Sequence, residues 1–154
     1  MRIKEMTLNF HTEYAFRVII YLLSYPDQVI PTREIAEKYN ISVNHLNKVS
    51  QRLVVIGVVT SLRGRGGGIL LKEEAKEMKI GDLMKSIEPQ NELAQCDGGK
   101  GLGACVISPV CKLRGILAEA QQEFWEKLNE STISDLAESP AKEIQAIWET
   151  PKPT

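Results

Sequence analysis

TREIAEKYNISVNHLNKVSQRLVVIGVVTSLRGRGGGILL, residues 32–71, is the stretch that decides the fold. Pro31 and Thr32 precede a short helix, TREIAEKY, whose core side is Ile35, Ala36 and Tyr39. Glu34 and Glu37 lie early in it, near the positive end of its dipole. Asn40 and Ile41 make a tight turn. Ser42 then caps a further helix, SVNHLNKVSQRLVVIG, which ends at Gly57. Val43, Leu46, Val49 or Ser50, Leu53 and Ile56 supply its buried side. Two short helices across a turn of three or four residues predict a helix-turn-helix. VVTSLRG and GGILLKE follow as short β-like runs, and Gly64, Gly66, Gly67 and Gly68 mark a hairpin tip with unusual backbone angles. A helix-turn-helix trailed by a glycine–arginine hairpin is a winged helix. The expected fold class is mainly α with a small β-hairpin wing, followed by a long C-terminal dimerisation helix.

Outward from that stretch, Thr12 is the expected cap of a first helix running to about Ser24, with Ala15, Phe16, Ile19, Ile20, Leu22 and Leu23 as its apolar face. Pro26 and Asp27 break it. On the other side, IGDLMKSIE predicts a short amphipathic helix over 80–88 that Pro89 stops. A cysteine loop spans roughly 90–110. A long helix is expected from about Pro109 to Asn129, because Val110, Leu113, Ile116, Leu117, Ala120, Phe124 and Leu128 recur at three and four residues. Such a stripe packs on the winged domain or on a second subunit. The chain thus divides into a DNA-binding domain (1–78), a cluster-binding loop with its dimerisation helix (79–138) and a flexible tail (139–154). The tail carries a candidate short helix at EIQAIW.

Composition is that of an ordinary globular chain, 43% apolar and 25% charged. No run approaches the roughly 18 apolar residues of a membrane span, and MRIKEMTLNFH lacks the apolar core of a secretory signal. Clustered free thiols without such a signal imply a reducing cytoplasm. Net charge is −1, yet its distribution is uneven. Residues 1–72 hold ten Lys/Arg against five Asp/Glu, and residues 73–154 hold nine against fifteen. A basic N-terminal half suits a polyanion. No paired carboxylates, nucleophile–base pair or phosphate loop points to an enzyme.

The second helix of the helix-turn-helix presents Asn44, His45, Asn47, Lys48 and Gln51 on its outer side. Amides read adenine edges in a major groove, and Lys48 reaches phosphate or guanine. Arg63 and Arg65, on a tip with little side-chain bulk, enter a minor groove or clamp phosphates. Thr32 and Ser42, at the starts of the two helices, complete the expected contacts to a double-stranded operator. Without the wing, the polar side of that helix reads equally as a solvated surface.

Cys96, Cys105 and Cys111 are the only cysteines, in the pattern C-x8-C-x5-C within CDGGKGLGACVISPVC. Glycine makes the chain between the first two pliable enough for the thiols to converge. Sulfur ligands of this kind favour zinc, copper(I) or an iron–sulfur centre. An odd number argues against a disulfide framework. Three thiols leave one position open, so a fourth ligand comes from elsewhere; His11 and Glu13 are candidates. Spacing does not separate zinc from iron–sulfur.

Together, the wing RGRGGGILL, the helix IGDLMKSIEP and the C-x8-C-x5-C loop resemble the iron–sulfur winged-helix transcriptional repressors of the NsrR and IscR type. The likeness covers about residues 6–138. ISPVCKLRGIL is similar to the nitric-oxide-sensing branch. In the IscR branch a histidine three residues beyond the last cysteine completes the cluster, and here that position is Arg114. The resemblance therefore implies a distant fourth ligand, an acidic residue near the start of the first helix donated by the other subunit. TEYAFR matches that region and Glu13 falls on the acidic position, as Glu where the family pattern has Asp. The first cysteine spacing is longer than in many relatives. What the resemblance implies is a cytoplasmic, homodimeric repressor with one iron–sulfur cluster per subunit, 4Fe–4S in preference to 2Fe–2S, and nitric oxide as signal. An IscR-like or other redox- or iron-responsive regulator is the alternative.

Overall fold

In a computed structural model of the chain, residues 9–88, 105–138 and 141–149 are described. The elements are α1 (Phe10–Ser24), α2 (Thr32–Tyr39), α3 (Val43–Val55), β1 (Val59–Leu62), β2 (Gly68–Leu71), α4 (Ile80–Ile87), α5 (Lys112–Leu128) and α6 (Ala141–Glu149). Short 3-10 turns cover Glu73–Glu77, Ser108–Val110 and Ser134–Glu138. Two compact units emerge: one is built from the chain up to Met78 and from Thr132 onward, the other is Lys79–Ser131. Among the described residues no helix is long and apolar enough to cross a membrane.

In the first unit, Val18, Ile19 and Leu22 of α1, Ile35 and Ala36 of α2, and Leu46 and Leu53 of α3 are buried together with Val58, Val59 and Ile69. Asn40 ends α2 in the left-handed region (φ 54°, ψ 47°), and its N–H bonds back to Ala36 and Glu37. Asn tolerates that conformation better than most residues, which is why the turn into α3 is so tight. α1 starts earlier than expected. Asn9, not Thr12, is the cap: its side chain accepts from the His11 N–H at 3.2 Å. Thr12 is instead fully buried within the helix.

β1 and β2 pair antiparallel, Val59 opposite Leu71 and Leu62 opposite Gly68. A third backbone segment joins their edge. Ile30 and Ile69 exchange two hydrogen bonds, Ile30 N–H to Ile69 O at 2.9 Å and Ile69 N–H to Ile30 O at 2.8 Å. A Cβ on Gly68 would lie 2.3 Å from the Ile30 carbonyl oxygen, so the close approach of that segment requires glycine there. Met78 of this unit accepts from the Ile133 N–H at 3.0 Å.

The second unit has its own small core of Leu83, Met84 and Trp125, with the Lys85 ammonium 5.0 Å from the indole centroid. Its ends are hydrogen-bonded to each other, Ile80 N–H to Ser131 O at 3.0 Å. Asn129 caps α4: its Oδ1 accepts from the Asp82 N–H and its Nδ2 donates to the Asp82 carboxylate, both at 3.1 Å. α5 begins at Lys112 rather than Pro109, because Ser108–Val110 forms a separate 3-10 turn and Cys111 takes the N-cap position. Of its apolar residues only Trp125 is buried. The periodic stripe is open: Val110 is 82% exposed, Leu113 59% and Ile116 61%.

EIQAIW falls within α6, which is seated on the first unit rather than trailing from it. Trp148 lies 4.5 Å from the Tyr21 ring and 5.5 Å from the Tyr39 ring, centroid to centroid. A large aromatic side chain near the end of an amphipathic segment is the physical reason, since burying it outweighs the entropy of ordering nine residues only when a matching cleft exists.

Candidate nucleic-acid interface and thiol segment

α3 buries Leu46, Val49, Ser50 and Leu53 and exposes Asn44, His45, Asn47, Lys48 and Gln51. Positions 44, 47, 48 and 51 follow the spacing that places residues on one helical face. The outer side thus carries two carboxamides, a third at its far end and one ammonium, a donor and acceptor set suited to base edges and phosphate. Ser42 holds the N-cap position of α3 without a side-chain capping bond, and Thr32 opens α2, half-buried. Ser42 is exposed, and the first-turn N–H groups of α3 have no intrahelical partner.

Between β1 and β2 the chain turns through Gly64 (φ 102°) and Gly66 (φ 82°), closed by Gly67 N–H to Gly64 O at 3.0 Å. A Cβ on Gly67 would meet the Leu62 carbonyl at 2.5 Å. Arg63 and Arg65 interleave with these glycines and are exposed. The tip is as narrow as backbone allows and carries two guanidinium groups.

Behind the helix-turn-helix, the Tyr21 hydroxyl donates to the Glu34 carboxylate at 2.8 Å. Burial raises the Tyr21 pKa, with Glu34 adding to it, and burial pushes Tyr39 from 10.0 up to about 12 although the Arg17 charge opposes this. Both phenols are held neutral in the fold. Their contribution is complete below pH 10.0, the unfolded value, and is lost as pH rises through the folded values. Stability of the first unit should accordingly be flat from neutrality to about pH 10 and fall between pH 10 and 12. Denaturant midpoints across that range check this, and Tyr39→Phe should flatten part of the fall.

In the second unit, Cys105 and Cys111 are free thiols, exposed and half-buried respectively. Between them the chain folds through two consecutive turns, with Ser108 N–H bonded to Cys105 O at 2.9 Å and Val110 N–H to Ile107 O at 3.0 Å. The Ser108 hydroxyl is buried without a hydrogen-bond partner among the described residues. Cys96 lies outside the described residues. Among those described, no three His, Cys, Asp or Glu side chains are grouped to hold a metal ion. Glu13, in the first turn of α1, is half-buried and ion-paired to Arg17, whose guanidinium also lies 5.7 Å from the Tyr14 centroid and 5.8 Å from that of Tyr39. His11 is exposed, its Nδ1 3.4 Å from the Asn9 side chain.

The sequence profile of the Rrf2 family, described as an iron-dependent transcriptional regulator, matches residues 8–139. The chain belongs to the Rrf2 family. Curated relatives named HTH-type transcriptional regulator NsrR include that of Bacillus subtilis (strain 168), 40% identical over 136 residues, which covers 87% of this chain and 92% of the relative. That of Halalkalibacterium halodurans is 36% identical over 143 residues, 92% of this chain and 97% of the relative. Two of the solved structures that resemble the chain illustrate its fold. The oxidized form of Staphylococcus aureus CymR superposes with a TM-score of 0.67 at 23% identity, over 86% of this chain and 97% of that one. T. potens IscR gives 0.66 at 19%, over 97% and 95%. This Rrf2 protein is a DNA-binding transcriptional regulator with a winged helix-turn-helix fold.

Two partnerships in the Rrf2 chain were not anticipated from sequence. Glu13 and Arg17 stand four residues apart, a spacing at which opposite charges meet on a helix, so that pair was there to be read. The seating of Trp148 against three tyrosines was not, because nothing local joins residue 148 to residues 21, 25 and 39.

Proposed function

We propose that the protein is a homodimeric, cytoplasmic repressor whose grip on a two-fold DNA operator is set by an iron–sulfur cluster in each subunit, with nitric oxide as the signal. The observation that carries this reading is the exposed amide and lysine side of α3 beside a two-arginine tip, in a chain whose curated relatives are named NsrR.

The donor set fits the group. Two free thiols stand on a tightly turned segment, the third precedes them in sequence, and the Ser108 hydroxyl, buried without a partner among the described residues, lies between Cys105 and Cys111 in sequence. Cys96, Cys105 and Cys111 would hold the cluster together with the partner's Glu13. A donor supplied across subunits would also leave no complete ligand group within one chain. When bound, the cluster supplies iron that takes up nitric oxide.

Glu13 is the weak member of this set, because carboxylate is a hard ligand and thiolate a soft one. It also has an alternative partner, Arg17, on its own helix. Arg17 in turn lies over Tyr39, the last residue of α2. A change of partner at Glu13 is thereby felt at the turn of the helix-turn-helix. Two-fold operators set half-sites about one helical turn apart, so a small change in recognition-helix spacing weakens both contacts at once. The apolar stripe of α5 supports the dimer, as a surface for the same helix of a second copy. The reading extends to cluster type, 4Fe–4S in preference to 2Fe–2S.

Anaerobic reconstitution of wild type and Glu13→Ala tests it. The wild type should acquire visible thiolate-to-iron absorption that nitric oxide bleaches, with loss of operator binding in parallel. Glu13→Ala should still colour, through its three thiols, but with an altered resonance Raman or Mössbauer signature at one iron. Operator affinity indifferent to nitric oxide would end the sensing claim, and identical iron spectra would remove Glu13 from the ligand set.

A further inference from the structure

After residue 131 the chain returns to the DNA-binding unit, and its last described helix lies across two others. Gln145 Nε2 donates to the Ser24 carbonyl at the end of α1. Lys38 Nζ, in the last turn of α2, donates to the Trp148 carbonyl at 3.0 Å. The Trp148 indole sits 4.5 Å from Tyr21, 6.4 Å from Tyr25 and 5.5 Å from Tyr39, nearly stacked on Tyr25 (23°) and edge-on to Tyr39 (77°). One side chain thus fills the angle between α1 and α2.

α2 needs such support. It has eight residues and buries only Ile35 and Ala36, and a helix of that length does not hold itself in water. Its tilt is fixed by what it leans on: α3 on one side, the Tyr21–Glu34 hydrogen bond and Trp148 on the other. α2 and α3 share a tight turn at Asn40 and a common core. Whatever holds α2 therefore sets how α3 is presented.

We propose that α6 is a strap that positions the helix-turn-helix for sequence recognition, with Trp148 as its positioning residue. The strap touches no DNA. It acts by narrowing the range of α2 orientations, so that the amides of α3 meet base edges in one register. The charges of the β1–β2 tip that attract any duplex, Arg63 and Arg65, lie on another element, and the strap leaves them unchanged. Removing the indole should cost selectivity and spare general affinity. The inference rests on α3 being the element that reads bases.

The experiment uses the full-length chain, with two duplexes at one salt concentration: an operator selected from a random pool with the wild type, and a random duplex of equal length. Trp148→Ala should bind the selected duplex about tenfold more weakly, the loss that follows from one or two aromatic contacts, and the random duplex as the wild type does. Trp148→Phe should recover most of the difference. Amide exchange in α2 should quicken in Trp148→Ala. A general loss of folding would instead weaken binding to both duplexes. For that event Lys38→Met decides the matter: it removes the bond to the Trp148 carbonyl and one last-turn charge but no packed ring, the lost charge acts on both duplexes alike, and the selected-to-random ratio should fall in the same direction. If a folded Trp148→Ala, or failing it Lys38→Met, keeps the wild-type ratio and the wild-type exchange in α2, the strap is wrong. If the wild type itself does not separate the two duplexes, base reading by α3 is wrong and the strap falls with it.

Discussion

Removing both arginines from the hairpin tip, as Arg63→Ala with Arg65→Ala, should weaken binding to duplex DNA of any sequence by about 10- to 100-fold at low salt. The two guanidiniums are exposed on a tip whose backbone is mostly glycine, so they approach phosphates without steric competition. Each phosphate neutralised contributes roughly −0.9 to the slope of log affinity against log salt. The double variant should therefore flatten that slope by about 2, which a titration by fluorescence anisotropy at several salt concentrations measures directly. Asn44→Ala behaves differently if α3 reads base edges: about 1–3 kcal/mol is lost on the selected operator and almost nothing on a random duplex. An unchanged salt slope in the arginine variant would show that the tip does not meet phosphate.

Gly68→Ala should be among the most damaging single-methyl additions in the chain. The new Cβ would stand 2.3 Å from the Ile30 carbonyl oxygen, 2.5 Å from its carbon and 2.8 Å from the Pro31 nitrogen. All three are backbone atoms and none can swing aside. The Ile30–Ile69 pairing must open, with loss of two hydrogen bonds worth about 1 kcal/mol each, and overpacking strain adds about 1–3 kcal/mol. We expect a loss of about 3 kcal/mol, against a typical total of roughly 5–15 kcal/mol. Gly66→Ala is the control. Nothing lies within 4 Å of its Cβ position, and only the positive φ of 82° penalises the change, by about 1–2 kcal/mol. Denaturant midpoints of the two variants should differ clearly, and equal midpoints would show that the third segment is not held where Gly68 meets it.

The winged helix was legible because its signals are local. Helical periodicity, the Asn40 turn and alternating glycines and arginines each occupy a few consecutive residues, and each maps onto an observed element. Element starts were less legible. Thr12 and Asn9 are both good caps, and only the burial of Thr12 in the α1 face distinguishes them. Pro109 suits a helix start in sequence, yet the 3-10 turn before Cys111 delays α5. The candidate DNA contacts of α3 stand out in sequence as polar residues between the apolar positions of one helix. The thiol group is only partly accessible to such reading, since Cys96 lies outside the described residues and Glu13 belongs to a unit other than that of Cys105 and Cys111. Least legible was Trp148, whose partners lie more than a hundred positions away.

Ile80 and Ser131 are hydrogen-bonded to one another at the two ends of one unit, as Met78 and Ile133 are in the other. The piece that carries the cysteines is in effect a cassette, entered and left through neighbouring points. Insertions with adjacent ends ask the host only to close a short gap. Evolution, or an engineer, can exchange such a cassette for one of different chemistry while the reader of DNA keeps its own core.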